Sequence, residues 1–167
     1  LPQLGVNPKL RHAANTAATL RDSRVWYDLV RPGLMMYGVV PPPLATTIPL
    51  KPVMSLRSRV VAVKGVRPGE IVGYGAHWIA EKPSRVAVVP AGYADGLDRR
   101  MAGSCDVLIR GRRHRVAGTV TMDQILVDCG DDDVTTGDEV VLIGEQGDER
   151  VTAEELRALT GFLKDPP

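Results

Sequence analysis

Residues 53–63, VMSLRSRVVAV, alternate apolar with polar side chains, which is the period-two pattern of a half-buried β-strand. Turn signals such as Pro68-Gly69 and Arg110-Gly111 divide the following sequence into short segments. The further apolar runs of strand length are Ile71-Val72, Arg85–Val89, Asp106–Ile109, Gln124–Val127 and Glu139–Ile143. Several short strands at this spacing predict an antiparallel β-barrel or sandwich.

A helix is predicted to follow these strands. Thr152 and Glu155 form the capping-box pattern at the start of the segment VTAEELRALTG, residues 151–161. Gly161 is the residue expected to cap its C-terminus, because glycine adopts the left-handed conformation required there.

The first 45 residues have a different character. The segment LRHAANTAATL, residues 10–20, predicts a short strand that runs into a helix, with Asn15 or Thr16 as its N-cap. Tyr27–Val30 predicts a second buried strand, which Pro32-Gly33 ends. Strand, helix, strand is the unit of a parallel α/β fold.

A proline cluster separates these two parts. The segment VVPPPLATTIPLKP, residues 39–52, is typical of a linker. It divides the chain into predicted domains at residues 1–45 and 46–167. Leu1 is not a natural start, so we expect the chain to be a piece of a longer protein.

Composition limits the possible functions. The 167 residues are 44% hydrophobic and 25% charged, with 21 basic and 20 acidic side chains, which is typical of a globular protein. This balance favours neither nucleic acid nor a membrane as partner, and no transmembrane run or signal peptide is visible. Cys105 and Cys129 lack metal-site spacing. We therefore expect no metal site, reduced thiols and a cytoplasmic protein.

Arg31 interrupts the apolar run DLVRPGLMMYGVV, residues 28–40. It either pairs with a local carboxylate such as Asp28, or belongs to a functional site at the carboxyl end of a strand. In the second case the turn Pro32-Gly33-Leu34 exposes backbone N–H groups that can hold an anion.

Other candidates also have plain structural alternatives. Thr16 lies where a helix N-terminus binds a phosphate or is simply capped, and His12 before it is most simply a satisfied structural histidine. Tyr74 in VGYGAHW either projects from a bent backbone or ends a strand in a bulge. A plain turn explains Tyr93 in GYADG, and a core position explains Met122 in GTVTMDQ.

In order along the chain, the motifs RHAANT, VRPGLMMYG, VGYG, GYADG and GTVTMDQ resemble those of the alanine racemase family. The resemblance runs from about residue 10 to about residue 160. It implies pyridoxal 5′-phosphate as cofactor and interconversion of L- and D-alanine for peptidoglycan. It also implies a mainly β chain. Residues 1–45 would be the last β/α elements of a TIM-type barrel, and residues 46–167 an antiparallel β-barrel or sandwich.

The resemblance implies a role for Tyr74 as one of two catalytic bases. This tyrosine would handle the proton on one face of the substrate Cα and reach into the barrel of the partner chain in a homodimer. The second base would be the lysine that carries the cofactor as a Schiff base, early in the barrel. The lysines of this chain, none of which lies in a matching motif, are Lys9, Lys51, Lys64, Lys82 and Lys164. We therefore expect the isolated chain to be inactive.

Cofactor contacts are implied in the same way. Arg31 matches an arginine that faces the pyridine nitrogen and, because it keeps its own proton, leaves that nitrogen unprotonated. This favours proton return at Cα over side reactions. His12 matches a partner of that arginine. Thr16, Gly33 and Leu34 match a phosphate cradle made of one hydroxyl and two backbone amides.

Substrate contacts are implied for the β-rich part. Met122 matches a substrate contact made through its backbone N–H, and Tyr93 matches a tyrosine of the substrate entrance, with Asp95 and Arg99 nearby. The family usually has an arginine three residues before this methionine, whereas this chain has Thr119.

Two alternatives stay open at this point. The chain is also compatible with a non-catalytic β-domain that serves dimerisation. The full protein is also compatible with racemisation of serine, lysine or several amino acids, because the pocket residues that select the substrate lie mostly outside this chain.

Overall fold

The computed structural model describes residues 5–40, 43, 44, 46 and 48–161. It contains two compact units, Leu1–Met54 and Ser55–Pro167. Four positions of the predicted linker, and Lys164, lie outside the described residues. In the described part of the chain, no helix is both long enough and apolar enough to cross a membrane.

The first unit contains one α-helix and two short 3₁₀-helices. Helix α1 spans Thr16–Arg21, and the 3₁₀-helices span Ser23–Val25 and Leu34–Tyr37. Asn15 is the N-cap of α1, because its Oδ1 accepts a hydrogen bond from the Ala18 N–H at 3.0 Å. One of the two predicted caps is thereby confirmed.

The two strands predicted around α1 are reduced to a single parallel bridge, between His12 and Leu29. The prediction of a buried strand at Tyr27–Val30 is wrong, since the Tyr27 and Leu29 side chains are 54% and 46% exposed. The segment is apolar enough for a strand. Parallel strands, however, are normally paired and covered on both sides, and the described residues supply only this one bridge.

The second unit is built from ten strands, seven of which fall within or overlap the strand segments predicted from the sequence. The strands are β1 Leu56–Arg59, β2 Ala62–Val66, β3 Ile71–Val72, β4 Trp78–Ile79, β5 Ser84–Val89, β6 Asp106–Ile109, β7 Arg112–Ala117, β8 Ile125–Gly130, β9 Glu139–Gln146 and β10 Glu149–Val151. Short 3₁₀-helices span Tyr74–Ala76, Tyr93–Asp95 and Arg99–Met101, and helix α2 spans Ala153–Thr160.

The main sheet is antiparallel and closes on itself. Its strand order is β1-β9-β6-β7-β8-β5-β2, with β10 paired to β9. The two end strands, β1 and β2, are consecutive in the chain and are joined by only two residues. Of these, Val60 donates its N–H to the Asp138 carbonyl and Val61 donates to the Val88 carbonyl, each at 2.9 Å. One continuous segment therefore passes from one edge of the sheet to the other, which makes the unit a barrel rather than a sandwich.

The barrel interior is filled by alternate residues of its strands. On β8, Ile125, Val127 and Cys129 point inward and are nearly inaccessible to solvent, while the residues between them are half-buried. Both cysteines are free and buried in this core. Burial raises the pKa of the Cys129 thiol to about 11, so this residue behaves as a packed apolar side chain.

Helix α2 begins and ends where the sequence predicts. The Thr152 Oγ1 accepts a hydrogen bond from the Glu155 N–H at 3.1 Å, and Gly161 is left-handed with φ of +63°. The reciprocal half of the capping box is replaced by an ion pair. The Glu155 carboxylate lies 2.6 Å from the Arg113 guanidinium of β7, so it ties the helix to the barrel.

Candidate active site

Tyr74 occupies the tip of the hairpin formed by β3 and β4. Val72 pairs with Trp78 where the ladder of this hairpin ends and its turn begins. The residues on either side of Tyr74, Gly73 and Gly75, have φ of +81° and +75°, a region that glycine enters without steric cost. The Tyr74 side chain is 75% exposed. The two glycines thus turn the backbone sharply and leave the phenol projecting, in agreement with the first alternative for this motif.

The Tyr74 turn rests against the segment that leaves β7. The Thr119 Oγ1 donates a hydrogen bond to the Tyr74 carbonyl at 2.9 Å. Gly118 has φ of +64°, and a Cβ on it would lie only 2.9 Å from the Val72 carbonyl oxygen. Backbone therefore packs directly on backbone, which joins the VGYG and GTVTMDQ motifs in space.

The Tyr93 turn is joined to the Met122 turn by two backbone hydrogen bonds. The Tyr93 N–H donates to the Thr121 carbonyl and the Ala94 N–H donates to the Met122 carbonyl, both at 2.9 Å. The Met122 N–H has no hydrogen-bond acceptor among the described residues, and its side chain is 58% exposed. A free backbone donor of this kind is available to a ligand. Met122 is not a core residue, contrary to the plain alternative.

These turns enclose one cavity of about 420 Å³, within the size range of small-molecule sites. The Arg99 guanidinium lies over the Tyr93 ring, 5.9 Å from its centroid, and supplies a positive charge that suits an anionic group. The lining residues are Tyr74, Tyr93, Arg99, Thr119, Val120, Thr121, Met122, Asp123 and Gln124.

Asp95 has a structural task in this arrangement. Its carboxylate accepts a hydrogen bond from the Gly92 N–H at 2.8 Å, which fixes the turn that carries Tyr93. It is not among the residues that line the cavity.

In the first unit, the predicted phosphate residues lie together. The Thr16 hydroxyl oxygen is 3.0 Å from the Gly33 nitrogen and 3.5 Å from the Met35 nitrogen, and accepts a hydrogen bond from each. Leu34 begins a 3₁₀-helix, so its N–H has no acceptor within that helix. The Thr16 hydroxyl and the Leu34 N–H can donate hydrogen bonds to a phosphate ester, whereas the Gly33 N–H is donated to the Thr16 oxygen. Two of the three predicted donors therefore fit a phosphate group as they stand.

Arg31 lies next to this group without a carboxylate partner in the described part of the chain. Its backbone N–H donates to the Ala14 carbonyl at 2.8 Å. Its expected local partner, Asp28, instead pairs with Arg11, whose Nε lies 2.9 Å from the Asp28 Oδ2. The pairing of Arg31 with Asp28 is therefore wrong, because Arg11 occupies that carboxylate. The Arg11 guanidinium holds the pKa of Asp28 below its usual range.

His12 lies beside Leu29 in the parallel bridge and is exposed. Among the described residues, its side chain shares no hydrogen bond with Arg31. The contact expected between the two side chains is thus not formed here.

Thr119 is the site residue whose contact the sequence did not predict. Its motif was identified, but a hydroxyl bond to a residue 45 positions away has no signature in a single sequence. The one available signal was the replacement of a long cationic residue by a short hydroxyl residue at this position.

Comparison with known proteins gives matches over both parts of the chain. The model of the alanine racemase C-terminal domain matches residues 53–165, and the model of the alanine racemase N-terminal domain matches residues 1–41. An alanine racemase of Symbiobacterium thermophilum is 44% identical over 165 residues, which are 98% of this chain and 44% of the relative.

Solved structures give the same result. An alanine racemase of Streptomyces coelicolor A3(2) is 41% identical with a TM-score of 0.90, over 96% of this chain and 43% of that one. An alanine racemase of Bacillus anthracis, solved with bound L-Ala-P, is 38% identical with a TM-score of 0.88, over 96% and 42% of the two chains. The chain thus spans less than half the length of these relatives.

Proposed function

Because the chain belongs to the alanine racemase family, we propose that its protein interconverts L- and D-alanine with pyridoxal 5′-phosphate as cofactor. The chain would supply the end of the cofactor-binding barrel, residues 1–45, and the C-terminal β-domain, residues 46–167. The protein would be a cytoplasmic homodimer that provides D-alanine for peptidoglycan.

The observation that carries this proposal is the joining of Tyr74, Tyr93 and Met122 around one cavity. Racemisation requires proton transfer at opposite faces of a planar carbon, so it needs a base on each side. Tyr74 supplies an exposed phenol at the cavity edge, which can take or return a proton on one face. The Met122 N–H would orient the substrate from the neighbouring turn.

The cofactor contacts would come from the first unit. Thr16, Gly33 and Leu34 would bind the phosphate, and Arg31 would donate a hydrogen bond to the pyridine nitrogen. When bound, the cofactor supplies an electron sink for the negative charge at the substrate Cα. Arg31 keeps its proton near neutral pH, so it would hold the ring nitrogen unprotonated and favour proton return over other reactions. His12 would become a partner of this arginine in the full protein.

The second base would be the cofactor-binding lysine of the full protein, outside the matching motifs of this chain. We therefore expect residues 1–167 alone, with added pyridoxal 5′-phosphate, to show negligible turnover. Measurable racemisation by the isolated chain would contradict the proposal that the second base comes from the rest of the protein.

A non-catalytic dimerisation module is the second candidate. It is favoured by one observation, which is that no lysine of this chain lies in a motif that matches the family.

The experiment is a racemisation assay of the full protein with alanine, serine and lysine, starting from each enantiomer. We expect alanine to be the preferred substrate and Tyr74→Phe to lower kcat by roughly 10²- to 10⁴-fold, the range for loss of a general base. Tyr27→Phe is the matched control, since Tyr27 is an exposed tyrosine 5.6 Å from the Arg11 guanidinium and outside the proposed site. Full activity of Tyr74→Phe would refute the assigned role, and inactivity of the wild-type protein would favour the module.

A further inference from the structure

The phenol of Tyr74 takes its position from the backbone beneath it. The side chain is 75% exposed, and among the described residues it makes no hydrogen bond and no ring contact. The described residues of this chain therefore do not hold the ring in place. Whatever holds residues 73–76 in place also determines where the phenolic oxygen lies.

That backbone is in an unusual conformation. Gly73, Gly75 and Ala76 all have positive φ, of +81°, +75° and +53°. Ala76 carries a Cβ, which the left-handed region disfavours. The ladder of the hairpin ends at the pair Val72 and Trp78, so it does not reach the turn itself. A turn of this kind needs support from outside the hairpin.

Thr119 provides such support. Its hydroxyl donates to the Tyr74 carbonyl at 2.9 Å, while its own backbone nitrogen lies 3.6 Å from the position that a Cβ on Gly73 would take. Gly118 allows this approach, because a Cβ there would lie 2.9 Å from the Val72 oxygen. Thr119 thus reaches the centre of the turn from a segment anchored on the barrel.

We propose that Thr119 is a positioning residue for Tyr74. The inference rests on the proposed role of Tyr74 as a base. The Thr119 hydroxyl binds the carbonyl and not the phenol, so it holds the residue in place and leaves the phenolic oxygen free to take or return a proton. Loss of this hydrogen bond lets the turn move, and small displacements of a catalytic group slow proton transfer markedly.

The test compares three variants of the full protein. Thr119→Val removes the hydroxyl with little change of shape, Thr119→Ser keeps it, and Thr135→Val removes a hydroxyl from an exposed turn elsewhere on the barrel. We expect a fall in kcat of roughly three- to tenfold for Thr119→Val, the size expected from one hydrogen bond, and near-normal values for the other two.

The decisive readout is the deuterium isotope effect with L- and D-alanine deuterated at Cα. If Tyr74 is misplaced, the step in which it takes the proton becomes more rate-limiting. In Thr119→Val the isotope effect should then rise for one enantiomer only. In Thr119→Ser it should stay at the wild-type value. A fall in kcat with both isotope effects unchanged, or no fall at all, would overturn the proposal.

A second readout is independent of activity. Amide hydrogen exchange of residues 73–76 should be faster in Thr119→Val than in Thr119→Ser. Equal exchange rates would show that the Thr119 hydroxyl does not stabilise this turn. An inactive wild-type protein, or a fully active Tyr74→Phe variant, would instead refute the proposed function. The exchange experiment would still test whether the Thr119 hydroxyl stabilises the Tyr74 turn.

Discussion

Gly92 lies so close to Met122 that a Cβ on Gly92 would come within 2.4 Å of the Met122 carbonyl carbon and oxygen. The contact is between two backbones, so neither partner can move aside by changing a rotamer. It brings the turn that carries Tyr93 against the turn that carries Met122. Two sides of the candidate cavity therefore depend on the absence of one methyl group.

Gly92→Ala should destabilise the protein because the added methyl forces the two turns apart. Overpacking of this kind costs about 1–3 kcal/mol. The measurement is the free energy of unfolding in urea, together with KM for alanine, which should rise as the cavity distorts. Gly65→Ala is the matched control, since a Cβ on Gly65 meets no atom within 4 Å. Equal stability of the two variants would show that the turns are not in contact.

Glu155→Gln should weaken the protein at neutral pH and have little effect in acid. The Arg113 guanidinium holds the pKa of Glu155 below its usual range. A carboxylate with a lowered folded-state pKa contributes stability that is present above its unfolded pKa and is lost as pH falls through the folded value. We expect a loss of about 0.5–1 kcal/mol at pH 7, measured by thermal unfolding, and a loss that shrinks steadily as the pH falls below the usual glutamate pKa.

Glu154→Gln is the control for this experiment. Glu154 lies in the same first turn of α2, is exposed, and has no ion pair among the described residues. Both substitutions remove one favourable negative charge from the helix N-terminus. The difference between their losses of stability therefore measures the contribution of the ion pair between Glu155 and Arg113. An equal loss for both variants at pH 7 would contradict this interpretation.

The buried side chain of His114 should make the stability of the fold depend on pH in a second, less acidic range. The side chain is 5% exposed, its Nε2 has no hydrogen-bond partner among the described residues, and burial lowers its pKa despite Asp132 at 3.6 Å. Below the usual histidine pKa, the unfolded chain therefore binds a proton that the folded chain resists. Stability should fall as pH is lowered from 7 towards 5.

His114→Gln should reduce this dependence on pH, measured as the difference in Tm between pH 7 and pH 5. His77→Gln is the matched control at an exposed histidine. An identical difference in Tm for wild type and His114→Gln would show that His114 does not titrate in this range.

The sequence predicted the β-rich part well where strands show an apolar face. The run Asp106–Ile109 coincides with β6, and Glu139–Ile143 lies within β9. Strand β7, Arg112–Ala117, was missed, because its outward residues are arginines and only His114, Val116 and Ala117 are buried. Barrel and sandwich could not be separated, since closure depends on one segment that changes partners at Val60.

The candidate site was predicted in parts and not as a whole. Motif order identified Tyr74 and Met122, but not which turns touch, because the contacts join residues far apart in sequence. The bond from Thr119 to Tyr74 is the example, as it depends on how β7 and the hairpin pack. In the first unit, the alternative that pairs Arg31 with Asp28 was wrong, since nothing local in the sequence shows that Arg11 reaches Asp28.

The most direct test of the central claim is exchange of the Cα proton of alanine in deuterated water, followed by NMR from each pure enantiomer. Wild-type protein should label both enantiomers and racemise them. We predict that Tyr74→Phe loses labelling of one enantiomer, and still labels the other without inverting it, because the second base acts alone on its own face. Labelling of both enantiomers with inversion by Tyr74→Phe would contradict the account.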